Sequence, residues 1–157
     1  MLTRLVKNCD LDLVLLAGRY TLLDQSAMAD LFPACRAHGT KVVVGGVFNS
    51  GILLDPSPRA RYDCAPADAA IVAKARRIEE VCDRHDVPLA AAALQFPLAH
   101  PQIASVLIGA RSVPDLDLLE VIIPDALWHD LRANGLLPDD VPIPSGPLVT
   151  TPERSVR

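Results

Sequence analysis

The sequence predicts an α/β fold built on a parallel sheet. Three short apolar runs, residues 11–18 (LDLVLLAG), 41–46 (KVVVGG) and 103–108 (IASVLI), lack the polar alternation of a strand with one wet face, as expected for strands covered on both sides. Each is followed by a turn-rich stretch and then by apolar residues at helical spacing, the alternation of βαβ units. Half of the 157 residues are hydrophobic and 22% are charged, a globular composition able to fill a core.

The elements follow in order. Residues 1–9 place Leu2, Leu5 and Val6 on one helical face, so the chain reads as beginning within an amphipathic helix. After the first strand, Ser26 can cap a helix over 27–38, with Asp30 in its first turns and Gly39 just past its end. The second strand leads into residues 47–65, a long proline-bearing segment of the kind that usually carries function. Pro66 suits a first helical turn, and Ile71, Ala75, Ile78 and Cys82 follow on one face of a helix ending near His85. Residues 89–100 form an Ala-rich helix that Pro97 bends or ends. After the third strand, a turn at 109–112 opens a short helix over 113–120, and Gly135 stops a last helix over 125–134. Trp128, with Leu127 and Leu131, anchors that helix in the core. Prolines at 138, 142, 144, 147 and 152 accompany lost periodicity, so 145–157 reads as a disordered tail.

Composition excludes several roles. The length is too short for a complete eightfold α/β barrel, which takes roughly 250 residues. A net charge of −4 gives no field for a polyanion, so nucleic acid is not an expected partner. The longest apolar runs fall far short of the roughly 20 residues of a membrane helix. Charged residues interrupt the first ten positions, which argues against a secretory signal and for the cytoplasm. Cys9, Cys35, Cys64 and Cys82 are scattered without a CxxC, and the expectation is reduced, buried thiols and no metal site. His38, His85, His100 and His129 lie near helix ends, where capping and solvation explain them. No GxSxG elbow or P-loop supports a small hydrolase or nucleotide switch.

Three stretches at strand ends carry a resemblance: Ala17-Gly18-Arg19-Tyr20-Thr21-Leu22-Leu23-Asp24-Gln25, Gly45-Gly46-Val47-Phe48-Asn49-Ser50-Gly51-Ile52-Leu53, and Ile108-Gly109-Ala110-Arg111-Ser112. Together, and with Arg61-Tyr62-Asp63 and the segment from Leu89 to Pro101, they resemble the C-terminal half of aldo-keto reductases over residues 1–144. The most similar branch is that of the aldose, L-fucose and pyridoxal dehydrogenases. The resemblance implies a partial (β/α)8 TIM barrel, strands 6 to 8 with their helices. It implies NAD or NADP as cofactor and a sugar or small aldehyde as substrate. The family's catalytic Asp, Tyr, Lys and His come from earlier strands and have no counterpart here, so a truncated chain, inactive alone, is the expectation. An adenine-contacting Glu-Asn pair of the family has no clear match in residues 113–120, where Glu120 is not aligned with it.

The same resemblance places cofactor contacts on Tyr20, on Val47, Phe48, Asn49, Ser50 and Gly51, and on Gly109, Ala110, Arg111 and Ser112. Tyr20 would stack on the nicotinamide ring, or else simply pack in its loop. Residues 47–51 offer amides, a hydroxyl and a freely turning glycine suited to a pyrophosphate, though Asn, Ser and Gly also make ordinary turns. Residues 109–112 precede a helix, so their amides face any bound phosphate, and Arg111 could meet a 2′-phosphate or adenine, or sit in a solvated turn. A different class of role is a non-catalytic nucleotide-binding or assembly module, self-associating through uncovered sheet edges.

Overall fold

The apolar runs do form strands. In a computed structural model, which describes residues 1–110 and 114–146, five strands appear among the described residues: β1 (Leu13–Ala17), β2 (Lys41–Gly45), β3 (Arg61–Tyr62), β4 (Ala65–Pro66) and β5 (Ile103–Leu107). Strands β1, β2 and β5 make one parallel sheet in that order, with Ala17, Gly45 and Leu107 level at their carboxyl ends. Strands β3 and β4 form a separate antiparallel hairpin within the long segment after β2.

The helices are α1 (Leu2–Asn8), α2 (Leu31–His38), α3 (Ala69–Arg84), α4 (Leu89–Gln95), α5 (Pro114–Asp117) and α6 (Asp125–Ala133). Strand alternation sends Val14, Leu16, Val42 and Val44 into the core they share with these helices. Ala75, Ile78 and Cys82 of α3 and Leu127, Trp128 and Leu131 of α6 are buried at the spacing their sequence predicts. Each fully buried leucine or isoleucine contributes about 1.5–3 kcal/mol. Asp68 caps α3, its carboxylate accepting from the Ile71 N–H at 2.8 Å.

Several expectations are corrected. Among the described residues the sheet is covered on one face only: Leu13 and Leu15 are each 52% exposed and Leu107 56%. The helix expected over 27–38 begins at Leu31, after a single 3-10 turn at Ser26–Met28. Pro33 explains this, because inside a longer helix its ring would clash with the carbonyl of Ala29. Pro66 belongs to β4, so Asp68 rather than Pro66 opens α3. Residues 96–99 tighten into a 3-10 turn around Pro97. Two of the four free thiols, Cys9 and Cys64, are exposed, whereas Cys35 and Cys82 are buried. Gly39 and Gly135 end their helices with φ of 72° and 66°, as expected. The proposed tail from 147 onward, and residue 113, lie outside the described residues.

The histidines divide. His38 and His129 are exposed, and His85 Nε2 meets Asp130 Oδ2 at 2.8 Å, joining α3 to α6. His100 is instead 2% exposed and stacks on Phe32 with ring centroids 3.9 Å apart. Its Nδ1 accepts from the Gln102 N–H at 3.1 Å, and burial, helped by nearby Arg36, pushes its pKa down to about 4. No described helix is long and apolar enough to cross a membrane, and no described cluster of His, Cys, Asp or Glu could hold a metal ion.

Candidate functional site

Parallel pairing sets the strand ends side by side, so the segments leaving them share one edge of the sheet. Between the loop after β2 and the end of β5 lies a cleft of about 230 Å³, lined by residues 46–51, Leu54 and residues 107–109. A smaller hollow of about 80 Å³ shares Phe48, Leu54, Ile108 and Gly109 with it and reaches Asp115 and Leu118 of the next helical segment. Two of the three stretches singled out in the sequence therefore meet in one place.

The loop after β2 has an unusual backbone. Asn49 and Ser50 take φ of 45° and 60°, and Gly51 takes 97°. Asparagine tolerates the left-handed region well, serine less so. Gly46, at φ 65°, leaves only a tight fit for a side chain, because a Cβ there would sit 3.3 Å from the Gly18 nitrogen. The ends of β1 and β2 are thus pressed together, and the Gly18 N–H donates to the Gly45 carbonyl at 2.9 Å.

Asn49 bridges these loops. Its Nδ2 donates to the Gly18 carbonyl at 3.2 Å, while its Oδ1 is buried without a hydrogen-bond partner among the described residues. A buried acceptor left unpaired costs about 1–3 kcal/mol, and Asn49 is one of the residues that line the cleft. The walls beside it are apolar: Val47 is buried, Phe48 is half-buried, and Leu54 and Leu107 present side chains to solvent. Such walls fit a flat, partly apolar group.

The remaining expectations are partly revised. Within residues 47–51, where a phosphate cradle is expected, the Asn49 and Gly51 amides donate to the Gly46 and Phe48 carbonyls of their own turn, so these two are already engaged. Ser50 is exposed, and its Oγ accepts from the Cys64 N–H at 3.0 Å, leaving its own hydroxyl proton to donate. Gly109 is exposed and lines the cleft, its neighbour Ala110 is exposed, and Arg111 and Ser112 lie outside the described residues.

Tyr20 is not in the cleft. Its ring is wholly buried, 4.8 Å edge-on from Phe32, stacked on Phe96 at 5.2 Å and edge-on to His100 at 5.3 Å. The hydroxyl is buried without a partner among the described residues, and burial raises its pKa. No ring face is open, so the nicotinamide-stacking role is not available to Tyr20 in this structure. The cause is local: Gly18 turns the chain at φ 67°, and the apolar run Leu22-Leu23 carries the loop into the helix layer.

One group escaped sequence reasoning. Arg19 Nη1 donates to Asp24 Oδ2 at 3.0 Å and Nη2 to Asp63 Oδ2 at 2.5 Å, while the Tyr62 hydroxyl donates to Asp24 at 3.1 Å. Burial alone would raise the Asp24 pKa, but hydrogen bonds from Ser26, Arg19 and Tyr62 outweigh it and hold the carboxyl below its ordinary value. Burial, then the Asp24 charge, pushes the Tyr62 phenol up to about 12. Arg19 and Asp63 stand 44 residues apart, and no spacing rule links them.

The sequence pattern of the Aldo/keto reductase family matches residues 2–119. The chain belongs to that family. A pyridoxal 4-dehydrogenase from Microbacterium luteolum is 44% identical to it over 137 residues, covering 84% of this chain and 40% of that protein. A D-threo-aldose 1-dehydrogenase from a Pseudomonas species is 40% identical over 143 residues, covering 87% and 44%. The chain therefore spans less than half the length of these curated relatives. Among solved structures, aldo-keto reductase AKR11C1 from Bacillus halodurans, in its holo form, superposes with a TM-score of 0.62 at 24% identity over 88% of this chain and 46% of its own. That likeness shows the fold, an α/β barrel type in which a parallel sheet carries its ligand site at the carboxyl ends of the strands. The family uses NAD(P).

Proposed function

We propose that residues 1–144 supply the closing strands and the cofactor-cleft loops of an NAD(P)-dependent aldo/keto reductase that oxidises a sugar or reduces a small aldehyde. The observation that carries this reading is the cleft between the β2 loop and the end of β5, with Asn49 among the residues that line it. A volume of about 230 Å³ suits one part of a dinucleotide rather than all of it. Phe48, Asn49, Ser50 and Gly109, which line the cleft, would hold that part. When bound, the nicotinamide nucleotide supplies hydride-transfer chemistry. This chain's own contribution is to bind and orient: apolar walls exclude water from one side of the ligand, and Asn49 lines the cleft beside it. The proton-transfer groups of the family belong to strands other than these three, and the open apolar face of Leu13, Leu15 and Leu107 is where such strands would pack.

Saturation-transfer NMR of the chain with NAD+ and with NADP+ tests the reading. Binding of at least one nucleotide is expected, weakened at least tenfold by Asn49→Gly, which removes the side chain without straining the left-handed backbone. No binding by the wild-type chain overturns it. Turnover of an aldose or of pyridoxal by this chain on its own would overturn the placement of the proton-transfer groups elsewhere. The same open face favours a second reading, a non-catalytic module that self-associates. A concentration-independent monomer in sedimentation velocity would argue against that role.

A further inference from the structure

The geometry points to Arg19 as a positioning residue for the Asn49–Gly51 turn, acting through the β3–β4 hairpin; this rests on the reading of the cleft as a nucleotide site. The chain of contacts is short. Arg19, on the loop leaving β1, joins Asp24 of its own loop to Asp63 at the hairpin tip. Tyr62, beside Asp63, donates to the same Asp24. The next residue, Cys64, donates its N–H to Ser50 Oγ, inside the turn that lines the cleft. The guanidinium thus lies two residues of hairpin away from the cleft wall.

The hairpin needs such holding. Two residues per strand make a ladder that is marginal on its own. Its turn residues, Asp63 and Cys64, take φ of 49° and 62°, the left-handed pair of a tight hairpin turn for which glycine and asparagine are preferred. Cysteine enters this region only where its surroundings impose it. Three contacts do so: Arg19 on Asp63, Arg61 on the Cys64 carbonyl, and Ser50 on the Cys64 N–H. On the other side, Lys74 of α3 donates to the Leu23 carbonyl at 2.9 Å, so the loop that bears Arg19 and Asp24 is itself fixed to a long helix. Arg19 is largely solvated and its ion pairs add little to global stability, so its effect falls on where the hairpin sits.

The experiment compares the full chain with its Arg19→Ala, Arg19→Lys and Asp63→Asn variants and with Arg19→Ala/Asp63→Asn together. Asparagine at 63 keeps the left-handed backbone while removing the charge. Three readouts are taken: hydrogen exchange of residues 61–66 without nucleotide, NAD+ and NADP+ affinity by NMR titration, and the thermal midpoint. For Arg19→Ala the expected result is exchange about tenfold faster, affinity weaker by about three- to tenfold, and a midpoint within about 4 °C of wild type. Arg19→Lys recovers part of the affinity, because an ammonium does not match the fork that spans two carboxylates. The double variant is no weaker than Arg19→Ala, since both remove the same link. Unchanged exchange, unchanged affinity despite faster exchange, or an affinity loss that merely tracks a collapsing midpoint each overturn the positioning role. A wild-type chain that binds neither nucleotide overturns the cleft reading itself and the positioning role with it.

Discussion

The two faces of the three-stranded sheet are built from the same residue types and meet opposite fates. Val14, Leu16, Val42 and Val44 point into a core closed by helices, while Leu13, Leu15 and Leu107 on the reverse face stay more than half exposed. Burial here is decided by what lies opposite a strand, and hydrophobicity along the strand cannot distinguish the two sides. The open face therefore marks unmet packing, and the closed face holds the stability of the described residues.

The sharpest contrast comes from Trp128, wholly buried in α6 and in tilted contact with Phe96 at 6.3 Å. Trp128→Ala should cost about 3–5 kcal/mol in urea unfolding, enough to unfold a marginal domain. The comparison itself is tested by neighbours on one strand. Leu16→Ala should cost about 2–5 kcal/mol, whereas Leu15→Ala should cost less than about 1 kcal/mol. Equal losses would mean that the reverse face is covered in solution, as packing by further strands or a second copy requires.

A pH series probes how dry the helix side is. His100 titrates at about 4 in the fold against an ordinary 6.5, so between those values the unfolded chain takes up a proton that the folded chain refuses. Its contribution is complete above pH 6.5 and lost as pH falls toward 4, a loss on the order of 3 kcal/mol. His100→Asn keeps an acceptor for Gln102 and should reduce the difference in urea midpoint between pH 7 and pH 4.5. An undiminished difference would place the acid sensitivity elsewhere. A modest effect is expected at the strand ends, where the two faces converge. Gly46→Ala combines a positive φ with a 3.3 Å contact and should cost about 1–2 kcal/mol, measured by thermal unfolding.

Much of the fold was legible because it rests on local pattern. The faces of α3 and α6, the closing glycines 39 and 135, and the three parallel strands all follow from spacing and from residue-level backbone preferences. The helix after β1 was misplaced because the cap signal at Ser26 outweighed the backbone veto of Pro33. The site was half legible. Residues 46–51 and 107–109 do line one cleft, since strand ends of a parallel sheet must gather there. Tyr20 misled, because an aromatic after a strand can turn to either side, and only the neighbouring leucines decide which. The Arg19, Asp24, Tyr62 and Asp63 group was invisible for a different reason. Its members come from segments some forty residues apart, brought together by a hairpin whose turn lacks the usual glycine.

That missing glycine also bears on how the molecule assembles. In the unfolded chain, Asp63 and Cys64 seldom visit the left-handed basin together, so the hairpin cannot nucleate from its own turn. It must await Arg19 and Ser50, and these are in place only after β1 and β2 have paired. In a refolding time course, amides of the central strand should gain protection first and those of residues 61–66 last. The cleft would then be the final part of this chain to take shape.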